Sequence, residues 1–132
     1  VGFLGPRDDV ADLLAAADTV VIPSRWEGLS NVLIEAMALE APVVASDLPT
    51  LHDAVADLDT ARLVPPADPA RLAAAILADL EDPASARLRA GRARERFLQH
   101  FTVDRVADQM LGFYDRALTR SAAGRAAGAT AG

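Results

Sequence analysis

Glu27 and Glu35 are the side chains around which chemistry in this sequence would gather. Glu27 lies in the turn Pro23-Ser24-Arg25-Trp26-Glu27-Gly28-Leu29, directly after the β-branched run Thr19-Val20-Val21-Ile22. Ligands of open α/β sheets sit at such strand ends. Glu35 stands four residues after Asn31, on the same helical face, among Val32, Leu33, Ile34, Ala36, Met37 and Leu39. A carboxylate in that company needs a donor or a shifted pKa. Two readings stay open. Either the acids meet a ligand, or Glu27 is solvated in its loop and Glu35 is bonded to an arginine at a helix edge.

Between the acids, Gly28, Leu29, Ser30 and Asn31 open a helix. Free amides and the helix dipole there suit a diphosphate, although simple capping by Ser30 explains the same residues. Arg25 could approach a phosphate or be solvated. Trp26, the sole tryptophan, could stack on a ring or pack at the edge of the core. Asp47, His52 and Asp53 fall near the end of the next strand.

Other chemistries are absent. The sequence has no cysteine, and its two histidines, His52 and His100, do not fall in a metal-ligand spacing. It holds no Walker loop, no G-x-G-x-x-G and no G-x-S-x-G. Thirteen basic against nineteen acidic residues give a formal net charge of −6, which disfavours nucleic acid or an anionic membrane as the main partner. A small phosphorylated ligand held by backbone amides is compatible with that charge.

The elements that must position these residues alternate. Val1–Leu4, 19–22, 42–45 and 61–64 are short apolar runs expected as strands. Helices are expected after Asp8 or Asp9, after Ser30 to about Leu39, after Pro49 with Thr50 and Asp53 in capping-box spacing, and after Asp68-Pro69. The last carries Leu72, Ala73, Ile76, Leu77 and Leu80 as its apolar face. This rhythm is α/β with a parallel sheet. After Asp82-Pro83 it gives way to two helices. The first carries Arg87, Arg89, Arg92, Arg94 and Arg96 as a solvated face able to pair with the excess acid. The second is capped by Thr102 and carries Val103, Val106, Met110, Phe113 and Leu118. One domain over 1–118 and a disordered tail over 119–132 are expected, since no large hydrophobe follows Leu118. Opening at Val1 within an apolar run, the chain reads as a piece of something longer.

With these residues in place, the sequence from Val1 to about Leu118 resembles the C-terminal domain of retaining glycosyltransferases of GT-B architecture, the class of sucrose and glycogen synthases and many mannosyltransferases. The resemblance is carried by Glu27, seven residues and Glu35 within Pro23–Ala38. Pro42-Val43-Val44-Ala45, Leu63-Val64-Pro65-Pro66 and Asp68-Pro69 follow at matching intervals. Glu40 stands where the family usually has glycine, and Thr50 where it often does.

The resemblance implies an incomplete Rossmann-like parallel sheet, the second half of that domain, with helices on both faces and two C-terminal helices. It implies an enzyme that transfers a sugar with retention from a nucleotide-diphosphate sugar, without cofactor or metal, in the cytoplasm. Glu27 resembles the catalytic acid at the transferred sugar. Gly28, Leu29, Ser30 and Asn31 resemble the segment holding sugar and diphosphate, and Glu35 the acid on the ribose hydroxyls. Arg25, Trp26, Asp47 and Thr50 would border the pocket. The family's acceptor-binding N-terminal domain lies outside the sequence, so the chain alone is expected to be inactive and completed in cis or in trans. Any peripheral membrane contact would run through that absent domain. A non-catalytic sugar-nucleotide-binding or regulatory module is the alternative. The family's strand order 3-2-1-4-5-6 leaves Val1–Leu4 either docked beside Thr19–Ile22 or frayed.

Overall fold

The computed structural model describes residues 1–55 and 59–129; for Asp53 and residues 121–129 only the backbone is described. The described residues form two compact units, Val1–Leu98 and a second beginning at Gln99, a division inside the span 1–118 read from the sequence as one domain. In chain order the elements are α1 (Val10–Ala16), β1 (Val20–Ile22), α2 (Asn31–Ala38), β2 (Val43–Ser46), α3 (Pro49–Val55), β3 (Arg62–Val64), α4 (Pro69–Glu81), α5 (Pro83–His100) and α6 (Val103–Ala129).

The sheet is parallel with order β1-β2-β3. Its register pairs Val21 with Val44 and Val44 with Arg62, so these three share one face with Val64. Val43 and Ala45 point to the other face. All of β2 is buried, so both faces of the central strand are covered, as its unbroken apolar run requires. Val44, Val64 and Ala75 form a core cluster against which Leu72 and Ile76 of α4 pack. Leu33 and Met37 of α2 and Leu51 and Val55 of α3 are the other large buried side chains.

The first expected strand is not formed. Val1–Leu4 has no ladder partner among the described residues, and Val1, Phe3 and Leu4 are exposed. Strand propensity records how a side chain fits a half-buried pleated surface, and without a neighbouring strand an apolar run has no such surface. Of the two expected outcomes, docking beside β1 is excluded.

The helix boundaries show where local chemistry decides. Ser30 caps α2, its Oγ accepting from the Leu33 amide at 3.4 Å. Asp68 caps α4, accepting from the Arg71 amide at 2.9 Å, with Pro69 at the first helical position. At α1 the N-cap is Asp9, but its carboxylate makes no cap bond; it is held by Arg7, whose Nε donates to Oδ1 at 2.6 Å. α3 begins at Pro49, one residue before the expected cap, and the Thr50 hydroxyl is used elsewhere; the Asp53 side chain of the expected capping box lies outside the described residues.

α4 is turned relative to its expected face. Leu77 and Leu80 are exposed, and the inward positions are Leu72, Ala75, Ile76 and Asp79. In α5 the inward stripe is Ala86, Ala90 and Ala93.

In the second unit Thr102 caps α6 through the Arg105 amide, and Val103, Met110, Phe113 and Leu118 are exposed. The α6 backbone is helical to Ala129. Alanine is the strongest helix former, a preference that a count of large hydrophobes does not register. Residues 130–132, and the side chains from 121 on, lie outside the described residues.

Candidate functional site

β1 is followed by the loop that carries Glu27, and that loop ends at the Ser30 cap. The cap satisfies the Leu33 amide, and the Ser30 carbonyl takes the Ile34 amide at 3.1 Å, which leaves the amides of Asn31 and Val32 without a protein acceptor among the described residues. Ser30 itself is buried, whereas Gly28, Leu29 and Asn31 are exposed around it. Helix dipole and free amides therefore face solvent at this point.

Glu27 is half-buried, and its Oε2 is shut off from solvent without any hydrogen-bond partner. A buried carboxylate oxygen with nothing to accept is costly unless another molecule supplies the donor. The loop is also pinned from the next crossover: the Thr50 hydroxyl in the first turn of α3 donates to the Glu27 carbonyl at 2.8 Å. Thr50 thus meets the Glu27 backbone through its hydroxyl. Asp47, just after β2, is held by His52 Nε2 one turn into α3.

Arg25 and Pro23 line a groove of about 230 Å³ at the C-terminal ends of all three strands, together with Ser46, Val64, Asp68 and Leu72. Arg25 has no carboxylate partner among the described residues. Trp26 is 89 % exposed, which removes the core-edge reading and leaves its ring free at the loop surface.

Glu35 is exposed, so its carboxylate is solvated and needs no buried donor. It lines a second groove, about 400 Å³, between α1 and α2, with Arg7, Val10, Leu14 and Leu39. Beside it the Arg7 guanidinium holds the Asp9 carboxyl below the usual carboxylate range, and Asp9 in turn raises Arg7. No ion pair joins Glu35 to an arginine among the described residues. Glu27 belongs to the loop before α2 and Glu35 to α2 itself, and neither of these two grooves is lined by Glu27.

One buried charge was missed in the sequence. Asp79 presents no side-chain surface to solvent; its Oδ1 accepts from Arg62 Nε at 2.8 Å and from Arg89 Nη2. Its other oxygen is buried and unpartnered. The signal was available in the spacing: Leu72, Ala75, Ile76 and Asp79 stand at i, i+3, i+4 and i+7, so an acid occupies an inward position. Likewise the arginines of α5 are not a purely solvated face. Arg89 reaches Asp79, Arg92 Nη1 lies 3.2 Å from Asp59, and Arg96 Nε donates to the Ala54 carbonyl at 2.5 Å.

Residues 1–82 match the family described as glycosyl transferases group 1, and the chain belongs to that family. It is 38 % identical over 117 residues to an MMP alpha-(1->4)-mannosyltransferase of Mycolicibacterium hassiacum, covering 88 % of this chain and 28 % of that protein. Among solved structures it is similar to sucrose-phosphate synthase from Thermosynechococcus elongatus, with TM-score 0.82, 38 % identity, and coverage of 91 % of this chain and 31 % of that one. HepE of Anabaena, solved in complex with UDP, matches with TM-score 0.82 at 30 % identity over 88 % of this chain and 32 % of its own. HepE has also been solved with UDP-glucose. The chain spans about a third or less of each relative. The α/β parallel-sheet architecture of the GT-B class is therefore present, and the pattern Glu27-x7-Glu35 belongs to the matched region.

Proposed function

We propose that this chain carries the donor-binding part of a retaining glycosyltransferase, holding a nucleotide-diphosphate sugar at the loop between β1 and α2. The observation that supports this reading best is the buried, unpartnered Oε2 of Glu27 in the loop that follows a parallel strand. A carboxylate there is ready to accept from sugar hydroxyls and to face a developing positive charge at the sugar. The unspent amides of Asn31 and Val32 at the α2 N-terminus suit the diphosphate, and Arg25, in the loop that leads to them, supplies a cation. Glu35, solvated on the next turn of α2, is placed to take two ribose hydroxyls, and the α1–α2 groove gives room for the nucleoside.

In this reading the donor's own leaving phosphate assists deprotonation of the acceptor, no metal or cofactor takes part, and the reaction is cytoplasmic. Acceptor binding and turnover belong to parts of the relatives that lie outside the third spanned here, whether joined in cis or supplied in trans.

Calorimetric titration with UDP, GDP and UDP-glucose tests the assignment. Glu35→Ala is expected to weaken nucleotide and nucleotide sugar alike, about a hundredfold, the cost of two lost charge-assisted hydrogen bonds. Glu27→Ala is expected to weaken only the nucleotide sugar. Absence of binding to every nucleoside diphosphate, with the relatives' preceding segment supplied, would overturn it. Binding that survives both substitutions unchanged would do the same.

A further inference from the structure

We propose that the groove between β3 and α5 binds a small phosphate-bearing anion. It has a volume of about 340 Å³ and is lined by Arg62, Arg89, Arg92, Asp59, Ser85 and Leu88. Arg62 is the first residue of β3, so the groove opens at the other end of that strand from the groove lined by Arg25. It is a separate site, and the donor reading neither supports nor requires it.

Three guanidinium groups around one cavity repel each other unless something negative lies among them. Asp79 does part of that work from beneath: a single oxygen, Oδ1, receives both Arg62 Nε and Arg89 Nη2. Arg89 is fixed further by Nη1, which donates to the Ser85 hydroxyl at 2.9 Å, and only 15 % of its side chain is exposed. Two arginine forks are thus held rigid side by side. The terminal nitrogens of Arg62 have no protein acceptor among the described residues, so its fork retains donors. Arg92 completes the wall, and its pairing with Asp59 at 3.2 Å is between groups 46 % and 72 % exposed. Such a surface pair is weak and yields readily to a better acceptor.

Three cations against two carboxylates leave a local positive excess in a chain whose net charge is −6. Planar forks with fixed spacing match the oxygens of a phosphate, which can accept from two arginines at once. Ser85 adds a hydroxyl at the rim, and Leu88 an apolar wall for whatever the phosphate is attached to.

The test is a titration of the whole chain at low ionic strength with inorganic phosphate and, separately, glycerol 3-phosphate, following the arginine Nε–H signals and the backbone amides by NMR. Saturable shifts at Arg62 and Arg89 are expected with both. Tighter binding of glycerol 3-phosphate would identify an organic phosphomonoester as the ligand class, and equal binding the phosphate group alone. Arg92→Gln, at an exposed position, is expected to weaken either about tenfold, and Arg92→Lys to restore only part of the loss because the fork is gone. Asp59→Asn is expected to tighten binding. The proposal is overturned by no saturation up to about 20 mM, well above a millimolar dissociation constant, by shifts confined to Gly28–Asn31, or by unchanged affinity in Arg92→Gln.

Discussion

Glu40 shows how a single side chain can sit in a place built for none. After α2 the amide of Ala41 returns to the Ala36 carbonyl at 2.9 Å and that of Glu40 to Met37 at 3.2 Å, the paired bonds that close a helix through a left-handed residue. Glu40 is that residue, with φ of +56°. A Cβ is strained there by about 1–2 kcal/mol, and glycine escapes the strain at some cost in unfolded-chain entropy. Glu40→Gly should therefore raise stability by about 1 kcal/mol, read as a higher urea midpoint with an unchanged slope. Glu27 carries the opposite tension. Its backbone carbonyl is satisfied by Thr50 while one side-chain oxygen is buried and idle. A loop held still around an unmet acceptor is how binding groups are kept ready for a ligand.

At the scale of elements, one carboxylate joins β3, α4 and α5. Arg62 shares a sheet face with Val44 and Val64, α4 lies over that face, and Asp79 is the α4 residue that meets it. Arg89 then fastens α5 to the same oxygen. Removing a buried acid leaves two guanidinium groups without their acceptor, so Asp79→Ala should cost about 3 kcal/mol, the low end for a broken buried pair because Arg62 is partly solvated. Urea unfolding would measure it, and the loss should greatly exceed that for Asp59→Ala at the exposed Arg92 pair.

These elements differ in how far the sequence reveals them. β1, β2, β3, the Ser30 cap and the Asp68-Pro69 start are legible because they rest on local chemistry: β-branched runs, cap side chains and proline. Glu27 and Glu35 stand out in the sequence by their spacing, whereas the groove that Glu35 lines with α1 was not legible, since it depends on how α2 leans on α1. The inward face of α4 was misread because alanines and leucines occupy most of its turns, so hydrophobicity alone does not fix its rotation. Asp79 decided that rotation through partners seventeen and ten residues away. The run Val1–Leu4 has strand chemistry, but a strand also needs a neighbour, which no local pattern guarantees.

For the first unit as a whole, the sheet is narrow: one central strand with an edge on each side. Val20 donates to the Pro42 carbonyl at 2.7 Å, which turns the Val20 and Ile22 amides toward β2 and the Val21 amide away from it. Hydrogen exchange should separate these positions. Val44, bonded within the sheet and fully buried, should exchange only on unfolding of the unit, and Val21 orders of magnitude faster. Equal protection at the two sites would mean that the outer edge of β1 is covered in solution.

That outer edge has a practical consequence for the chain on its own. Apart from its length of three residues, β1 has little that blunts a sheet edge: it holds no proline, lysine or bulge, only Val20, Val21 and Ile22, and Phe3 and Leu4 are exposed elsewhere in the same unit. Parallel sheets also assemble slowly, because each pairing closes a long crossover first. During that interval sticky strands are within reach of neighbouring molecules. The yield of soluble chain should therefore be governed by crowding at the moment of refolding, with dilute, cold, slow renaturation favouring recovery over clumping.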